Sequence, residues 1–302
     1  MPLTLFTHIL NEEEILPNWL EHHKKIFGHG VVVDCGSTDK SLDIVREICP
    51  SWEIVGYHGR PDDVAEAEMN KQESRFTGWK MALNSTEFLV VDSLDDYIVK
   101  KESEGCSAIL TNPFISVDTP GDHDLSSIKE ENILLRKTFG YRELNNGWDG
   151  WCMKNNRRVH ANGLVSREYI TSNATILGDA DSVGRTGGGF AFRKRLLHKH
   201  DCGRYRGGRH ANGWTTEVDE SLPLTWFGRG NPGYQLTKSG RFREAFLAGR
   251  KTFDGLSRFW TEEDCYKFWE FEKSISSDLT VTDPEYGRMI DLIKKRDNYK
   301  EI

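Results

Sequence analysis

The chain has 302 residues, of which 37% are hydrophobic and 11% aromatic, and it carries a net charge of −7 at neutral pH. This apolar content is enough to fill a hydrophobic core and excludes a wholly disordered chain. The acidic balance disfavours a nucleic-acid backbone as the main partner, and no apolar run reaches the roughly 20 residues that span a bilayer. The length predicts one large domain, or one domain with a subdomain.

Cysteine usage and the amino terminus both bear on the cellular compartment. The six cysteines are scattered without a CxxC pair, which favours reduced thiols over disulfides or a structural zinc site. The opening stretch MPLTLFTHILNEEE has no basic region and turns acidic early, unlike a signal peptide. We therefore expect a cytoplasmic protein without a transmembrane segment.

In chain order, the first 100 residues alternate predicted strands and helices in the βαβ manner, which predicts an α/β fold. Asn11 is expected to cap the first helix and Gly28 to end it. The glycine-rich stretch 144–240 is predicted to be mostly functional loop surface. Strands are predicted at residues 3–10, 30–33, 52–57, 88–91 and 108–114, and helices at residues 12–27, 40–48, 66–83, within 125–137, and at 284–295.

An acidic cluster follows the apolar run 88–91, which is typical of a strand buried on both faces. Its members are Asp92, Asp95 and Asp96. Open α/β sheets bind ligands at the carboxyl ends of their strands, and clustered carboxylates are hard oxygen ligands for Mg²⁺ or Mn²⁺. A solvated turn or a helix cap explains the same residues.

A second motif, VVVDCGSTDKS at residues 31–41, reads as a strand, a tight turn and a helix start. Gly36 suits the bend, and Ser37 or Asp39 suits the helix cap. The turn is ordinary by itself. It becomes informative because Asn11-Glu12 follows the strand before it and the acidic cluster follows a later strand.

In this order the motifs resemble those of the GT-A glycosyltransferases, close to family 2 and to relatives with an Asp-x-Asp-Glu-Phe metal motif. The resemblance covers about residues 4–140 and includes the helix that carries Trp19, His22 and His23. Asp95, Asp96 and Tyr97 fit the end of the metal motif, whereas Asp92 is displaced by one residue.

The resemblance implies a GT-A, Rossmann-like mixed sheet flanked by helices, with a loop-rich acceptor half and a C-terminal helical extension. The corresponding division is a nucleotide-sugar-binding half at residues 1–143, an acceptor-binding half at 144–241 and the helical extension at 242–302. The implied activity is that of a metal-dependent hexosyl- or pentosyltransferase. Such an enzyme moves a sugar, with inversion, from a UDP- or GDP-linked donor to a glycan, lipid-linked or other hydroxyl acceptor.

The resemblance also implies site residues. It places Asp34 at the donor base and the Asn11-Glu12 edge near the ribose, and Mn²⁺ or Mg²⁺ on the diphosphate, where the ion neutralises the leaving group. The implied nucleotide-binding residues are Asn11, Glu12, Asp34, Gly36, Ser37, Asp39 and Asp92, and the implied metal ligands are Asp92, Asp95 and His210.

Inversion requires a carboxylate base on the acceptor side. Asp149 is favoured because Trp148 and Trp151 beside it are suited to stack against a sugar ring. Further candidates for this base are Glu217, Asp219, Asp179 and Asp181.

Two other classes stay open. A phosphotransferase would use an aspartyl nucleophile at the DSLDD strand end. A non-catalytic carbohydrate- or nucleotide-binding protein would carry a decayed metal motif.

Overall fold

A computed structural model describes residues 3–57, 63–119, 132–142, 157–160, 163–166, 195–205, 218–229, 266, 269–270, 272–274 and 276–297. The described residues form a mixed, ten-stranded sheet flanked by helices and a separate two-stranded hairpin. The predicted α/β class with a mixed sheet is confirmed.

The strands are β1 (Leu3–Ile9), β2 (His29–Asp34), β3 (Glu53–Gly56), β4 (Trp79–Ala82), β5 (Glu87–Leu89), β6 (Ala108–Val117), β7 (Phe139–Arg142), β8 (Arg157–His160), β9 (Gly163–Ser166), β10 (Leu196–His198), β11 (Val218–Arg229) and β12 (Ser277–Asp278). The helices are α1 (Leu16–His23), α2 (Ser41–Ile48), α3 (Asp63–Glu73), α4 (Leu94–Ser103), α5 (Ile133–Arg136), α6 (Leu279–Thr282) and α7 (Pro284–Arg296).

The main sheet runs in the order β12-β7-β6-β10-β4-β1-β2-β3, with β11 beside β6 and β5 beside β11. β3, β2, β1 and β4 are parallel to one another. β10 is antiparallel to both β4 and β6, so β6 points the same way as β4. β11 is parallel to β6 and antiparallel to β5, so β5 runs against the parallel strands.

Alternate residues of the central strands face two cores, as expected for parallel strands that are covered on both sides. Leu5 and Val32 pack in the core that contains α1, α2 and α7, whereas Phe6 and Val33 pack in the core that contains α3. Gly30 in β2 allows close packing, because a Cβ atom there would lie 2.3 Å from the ring of Trp52.

The carboxyl-terminal helix belongs to this core. The side chain of Asp283 caps α7 by accepting the N–H groups of Glu285 and Tyr286 at 3.1 and 3.0 Å. Tyr286 and Ile290 are buried in the same cluster as β1 and α1. The helix predicted at residues 284–295 is confirmed as α7.

The helix predicted at residues 66–83 is wrong in its second part, because α3 (Asp63–Glu73) ends at Glu73 and β4 follows at Trp79–Ala82. Gly78, with a φ of +89°, makes the turn between them. Lys80 hides the strand in the sequence, since a lysine inside a buried strand is unexpected. Its ammonium donates to the carbonyl oxygens of Glu73, Phe76 and Asp201 at 3.3, 2.8 and 3.1 Å.

No helix within the described part of the chain is long and apolar enough to cross a membrane. The cysteines that fall in the described residues are free thiols: Cys35, Cys49, Cys106 and Cys202.

Candidate functional site

The parallel strands β1, β2 and β4 end at one edge of the sheet, which we call the carboxyl edge. Their register pairs Ile9 with Asp34 and Phe6 with Ala82, so the loops that begin after these positions are neighbours. Asn11 lies in the loop after β1, Asp34 ends β2, and Asn84 lies two residues after β4. Open α/β sheets bind ligands at this kind of edge.

Asn11 locks the first two loops of this edge together. Its carboxamide oxygen accepts the N–H groups of Thr38 and Asp39 at 2.7 and 3.4 Å, and its own N–H donates to the Oγ of Ser37 at 3.1 Å. Its φ of +55° is one that asparagine tolerates better than most residues. The prediction that Asn11 caps the first helix is wrong, since α1 begins at Leu16 without a side-chain cap.

Further hydrogen bonds close the same loop pair. The N–H of Glu12 donates to the Oγ of Ser41 at 2.9 Å, and the N–H of Glu13 donates to Asp39 at 3.1 Å. The other carboxylate oxygen of Asp39 accepts the N–H of Ser41 at 2.9 Å. The structure therefore brings together the predicted residues Asn11, Glu12, Asp34, Ser37 and Asp39.

Asp34 is the carboxylate that this loop pair holds at the carboxyl edge, and only 8% of its surface is exposed. One oxygen, Oδ1, accepts the N–H of Ser37 at 2.9 Å. The other, Oδ2, accepts no hydrogen bond from the described residues. Gly36 permits the turn with a φ of +93°, and no described atom lies within 4 Å of where its Cβ would be. Asp34 thus has a fixed orientation and an oxygen left for a ligand.

The end of β4 carries a motif that the sequence reasoning missed. Residues 84–88 read Asn-Ser-Thr-Glu-Phe and share the Glu-Phe pair of the Asp-x-Asp-Glu-Phe motif. Asn84 and Thr86 stand where that motif has aspartates. The Glu87-Phe88 pair was the available signal, and the mistaken helix over residues 66–83 concealed the strand that leads into it.

The carboxylate of Glu87 is fully buried and held on both oxygens. It accepts the N–H of Asn84 at 2.8 Å and the Asn84 side-chain amide at 3.2 Å. Arg195, which is 1% exposed, forks onto it through Nε at 2.7 Å and through Nη2. A buried carboxylate needs such partners, because desolvating the charge is costly.

Thr86 is also committed to protein contacts. Its Oγ accepts the indole N–H of Trp226 at 3.0 Å, and its carbonyl oxygen accepts the N–H of Phe227 at 2.8 Å. Both partners belong to β11, so the turn after β4 is fixed from its far side as well. The segment 84–87 is a closed, hydrogen-bonded unit, which we call the β4 turn.

His22 and His23 of α1 hold the backbone of β5, the strand that follows the β4 turn. His22 Nε2 donates to the carbonyl oxygen of Leu89 at 2.7 Å, and His23 Nε2 accepts the N–H of Leu89 at 3.2 Å. The Trp19 indole donates to the carbonyl oxygen of Glu87 at 2.8 Å. These side chains satisfy the backbone of β5 as a neighbouring strand would, which gives the helix motif of the resemblance a structural role.

Burial keeps both histidines neutral. It lowers the pKa of His22 to about 3, with a further lowering from the nearby Arg296 guanidinium. Burial likewise holds the pKa of His23 well below its usual value, and the neighbouring His22 adds to this. The contacts to Leu89 require a neutral His23, because its Nε2 acts as an acceptor.

The acidic cluster after β5 lies at the opposite edge of the sheet. β5 runs against β1, β2 and β4, so its carboxyl end leads away from Asp34. Ser93 caps α4 by accepting the N–H of Asp96 at 3.2 Å, and Asp95 lies exposed in the first turn. At its other end α4 contacts the start of β4, where Glu102 accepts the Trp79 indole N–H at 2.9 Å.

The expectation that these acids join the Asp34 site is therefore not met. Asp92 and Asp95 are exposed near a helix start, which is the arrangement that the helix-cap reading describes. Asp149, Asp179, Asp181, His210 and Glu217 lie outside the described residues, and Asp219 lies in β11, where only its backbone is described.

The described residues do not fit a divalent metal ion at the carboxyl edge. No group of three or more His, Cys, Asp or Glu side chains among them is placed to hold a metal. At the β4 turn, asparagine and threonine supply no charge and Glu87 is paired with Arg195. Mg²⁺ and Mn²⁺ favour carboxylate-rich oxygen sites, and the described residues of the β4 turn do not form one.

Comparison with known proteins gives structural likenesses alone. No protein-family profile and no curated protein matches the chain. The Staphylococcus aureus TarS fragment 1–349 is 20% identical over 40% of this chain and 38% of that one, with a TM-score of 0.34. Its complex with UDP is 13% identical over 82% of this chain and 66% of that one, again with a TM-score of 0.34.

Glucosyl-3-phosphoglycerate synthase from Mycobacterium tuberculosis, in complex with Mn²⁺, UDP and phosphoglyceric acid, is 15% identical over 37% of this chain and 43% of that one, with a TM-score of 0.29. The chain thus spans less than two thirds of the length of each of these structures. Both proteins have the GT-A glycosyltransferase fold, which is the fold that the sequence resembles.

Proposed function

We propose that the chain is a glycosyltransferase that binds a nucleotide-sugar at the carboxyl edge and transfers the sugar to a hydroxyl acceptor. The observation that carries this proposal is Asp34. It is nearly buried, is oriented by the N–H of Ser37, and has one oxygen that no described residue uses. A carboxylate held in this way is suited to accept a hydrogen bond from the N–H group of a nucleobase.

The surrounding loops support a nucleoside over a smaller ligand. Asn11 and Glu12 lie on the neighbouring strand end, joined to the Asp34 turn by hydrogen bonds to Ser37 and Ser41. A base at Asp34 and a ribose toward Asn11 and Glu12 would extend along two adjacent strand ends. UDP- and GDP-linked sugars are the donors we propose.

The acceptor side follows from the resemblance. We propose transfer with inversion, in which a carboxylate takes the proton of the attacking hydroxyl. Asp149 remains the first candidate for this base, followed by Glu217 and Asp219. A glycan or a lipid-linked sugar, placed against Trp148 and Trp151, is the acceptor class we propose.

A calorimetric titration with UDP and GDP tests the nucleotide site. Asp34→Asn keeps the acceptor for the Ser37 N–H but removes the charge, and should weaken nucleotide binding by about 10- to 100-fold, the value of a charge-assisted hydrogen bond. Asp43→Asn on the exposed surface of α2 is the matched control and should bind as the wild type does. Equal affinities for wild type and Asp34→Asn would reject Asp34 as the base-binding residue.

A second candidate is a nucleotide-sugar-binding protein without transfer activity. The observation that favours it is the presence of Asn84 and Thr86 where the related motif has aspartates. Incubation with UDP- and GDP-sugars and chromatography of the products separates the two: release of nucleoside diphosphate indicates transfer or hydrolysis, and binding without release indicates the second candidate. The phosphotransferase alternative loses its support, because Asp92 is exposed at the opposite edge.

A further inference from the structure

We infer that nucleotide binding at the carboxyl edge needs no divalent metal ion, because the β4 turn is closed by the Glu87–Arg195 ion pair and is not an open carboxylate site. The inference rests on the proposed function for its ligand, a nucleoside diphosphate. It concerns the place where the resemblance implies metal binding, and it reaches the opposite conclusion for this chain.

The first argument is the use of lone pairs. A carboxylate offers about four acceptor positions. In Glu87, Oε2 accepts the N–H of Asn84 and Nε of Arg195, and Oε1 accepts the Asn84 side-chain amide and Nη2 of Arg195. A metal ligand at this position would have to give up at least one of these bonds.

The second argument is charge. The β4 turn contributes the neutral side chains of Asn84 and Thr86, and the charges of Glu87 and Arg195 cancel. Divalent cations are bound tightly where several carboxylate charges converge. The Thr86 hydroxyl oxygen, moreover, already faces the indole N–H of Trp226, whose positive hydrogen repels a cation.

The third argument is what opening the turn would require. Moving Glu87 toward a metal would break its ion pair with Arg195, of whose surface only 1% is exposed. An unpaired buried charge is strongly destabilising. Arg195 is also fixed by its backbone, since its N–H donates to the Thr111 Oγ at 2.8 Å and its carbonyl oxygen accepts the Thr111 N–H at 2.9 Å.

Two other carboxylates of the carboxyl edge, those of Asp39 and Asp34, do not replace Glu87. Both oxygens of Asp39 accept backbone N–H groups, one from Glu13 and one from Ser41. Asp34 has one oxygen held by Ser37 and one that no described residue uses. One open oxygen does not make a cation site.

Calorimetry of UDP and GDP binding to the full chain, in excess EDTA and in excess MnCl₂, tests this inference. We expect the two affinities to agree within about twofold, far from the roughly tenfold change that 1.4 kcal/mol represents. A loss of about tenfold or more in EDTA overturns the inference. If neither nucleotide binds in either buffer, the proposed function fails, and a measurement with the metal alone decides the inference.

That second measurement is a titration of the chain with MnCl₂, followed by the electron paramagnetic resonance signal of free Mn²⁺. We expect that the β4 turn does not bind Mn²⁺. Wild type, Asn84→Ala and Thr86→Ala should therefore give the same titration. Stoichiometric Mn²⁺ binding by the wild type that either substitution weakens overturns the inference. Binding that neither substitution changes supports it, because the ion is then not held by the Asn84 and Thr86 side chains.

Discussion

The two edges of the sheet carry acidic residues of opposite kinds. At the carboxyl edge, Asp34 and Glu87 are buried and are oriented by hydrogen bonds. At the other edge, Asp92, Asp95 and Asp96 are exposed beside the start of α4. The acidic cluster is the more conspicuous feature in the sequence, yet the isolated acids are the ones that the fold orients. In this fold, the strand end on which a carboxylate lies decides whether it is buried and oriented, and the local density of charge does not.

The largest difference is expected in the free energy of unfolding that is lost when one member of a buried ion pair is removed. Arg195→Met should destabilise the protein by about 3–5 kcal/mol, because Glu87 would remain buried and charged without its partner. Urea denaturation followed by circular dichroism measures this loss as a shift in midpoint.

Lys199→Met is the matched control, since Lys199 forms an exposed pair with Glu102 at 3.1 Å. Its loss should stay below about 1 kcal/mol. Similar losses in both variants would contradict the view that the buried pair organises the carboxyl edge.

The second prediction concerns pH and the histidines beneath the β4 turn. The pKa of His22 is lowered from its ordinary value of 6.5 to about 3 in the folded chain. The folded protein therefore keeps its full stability above pH 6.5 and loses stability as the pH falls below that value. In that range the unfolded chain binds a proton that the folded chain excludes, which costs about 1.4 kcal/mol per pH unit. His22→Gln keeps a donor for the Leu89 carbonyl and should remove the part of this slope that His22 contributes, while the part from His23, whose pKa is also lowered by burial, remains.

Unfolding free energies measured from pH 7.5 down to pH 4.5, a range of about three pH units chosen to cross the histidine value, give the comparison. Above the ordinary pKa of histidine, the plots of unfolding free energy against pH for wild type and variant should run parallel. Parallel curves below it as well would show that His22 takes no part in the acid sensitivity.

The elements that the sequence predicted correctly depend on local patterns, whereas those that it missed depend on contacts distant in sequence. β1, β2 and α2 follow from local apolar runs and turn residues, and the contact between Asn11 and Asp34's turn follows from parallel neighbouring strands. The sequence did not predict β4, because the lysine buried in this strand, Lys80, has a partner that is distant in sequence, Asp201. The direction of β5 depends on β11, and nothing in the run 88–91 records that pairing. Contacts distant in sequence decided which acids reach the carboxyl edge.

The third prediction is smaller and separates conformation from hydrogen bonding in the loop pair. Asn11→Ala removes the acceptor for two N–H groups and places alanine at a φ of +55°, so we expect a loss of about 1–2 kcal/mol. Asn11→Asp retains an acceptor and tolerates this backbone, and should recover most of the stability. If Asn11→Asp were as unstable as Asn11→Ala, the link to Thr38 and Asp39 would not be what holds the loops together.

The smallest expected effect belongs to the acidic cluster. Asp95→Asn changes an exposed side chain in the first turn of α4, so it should weaken the favourable interaction with the helix dipole and cost about 0.3–1 kcal/mol. Nucleotide affinity should be the same as in the wild type, because β5 carries Asp95 to the edge opposite Asp34. Thermal unfolding and calorimetry with UDP, run beside Asp34→Asn, measure both quantities. If Asp95→Asn folds normally but binds UDP at least about tenfold more weakly, Asp95 takes part in nucleotide binding. The proposed difference in function between the two edges would then be wrong.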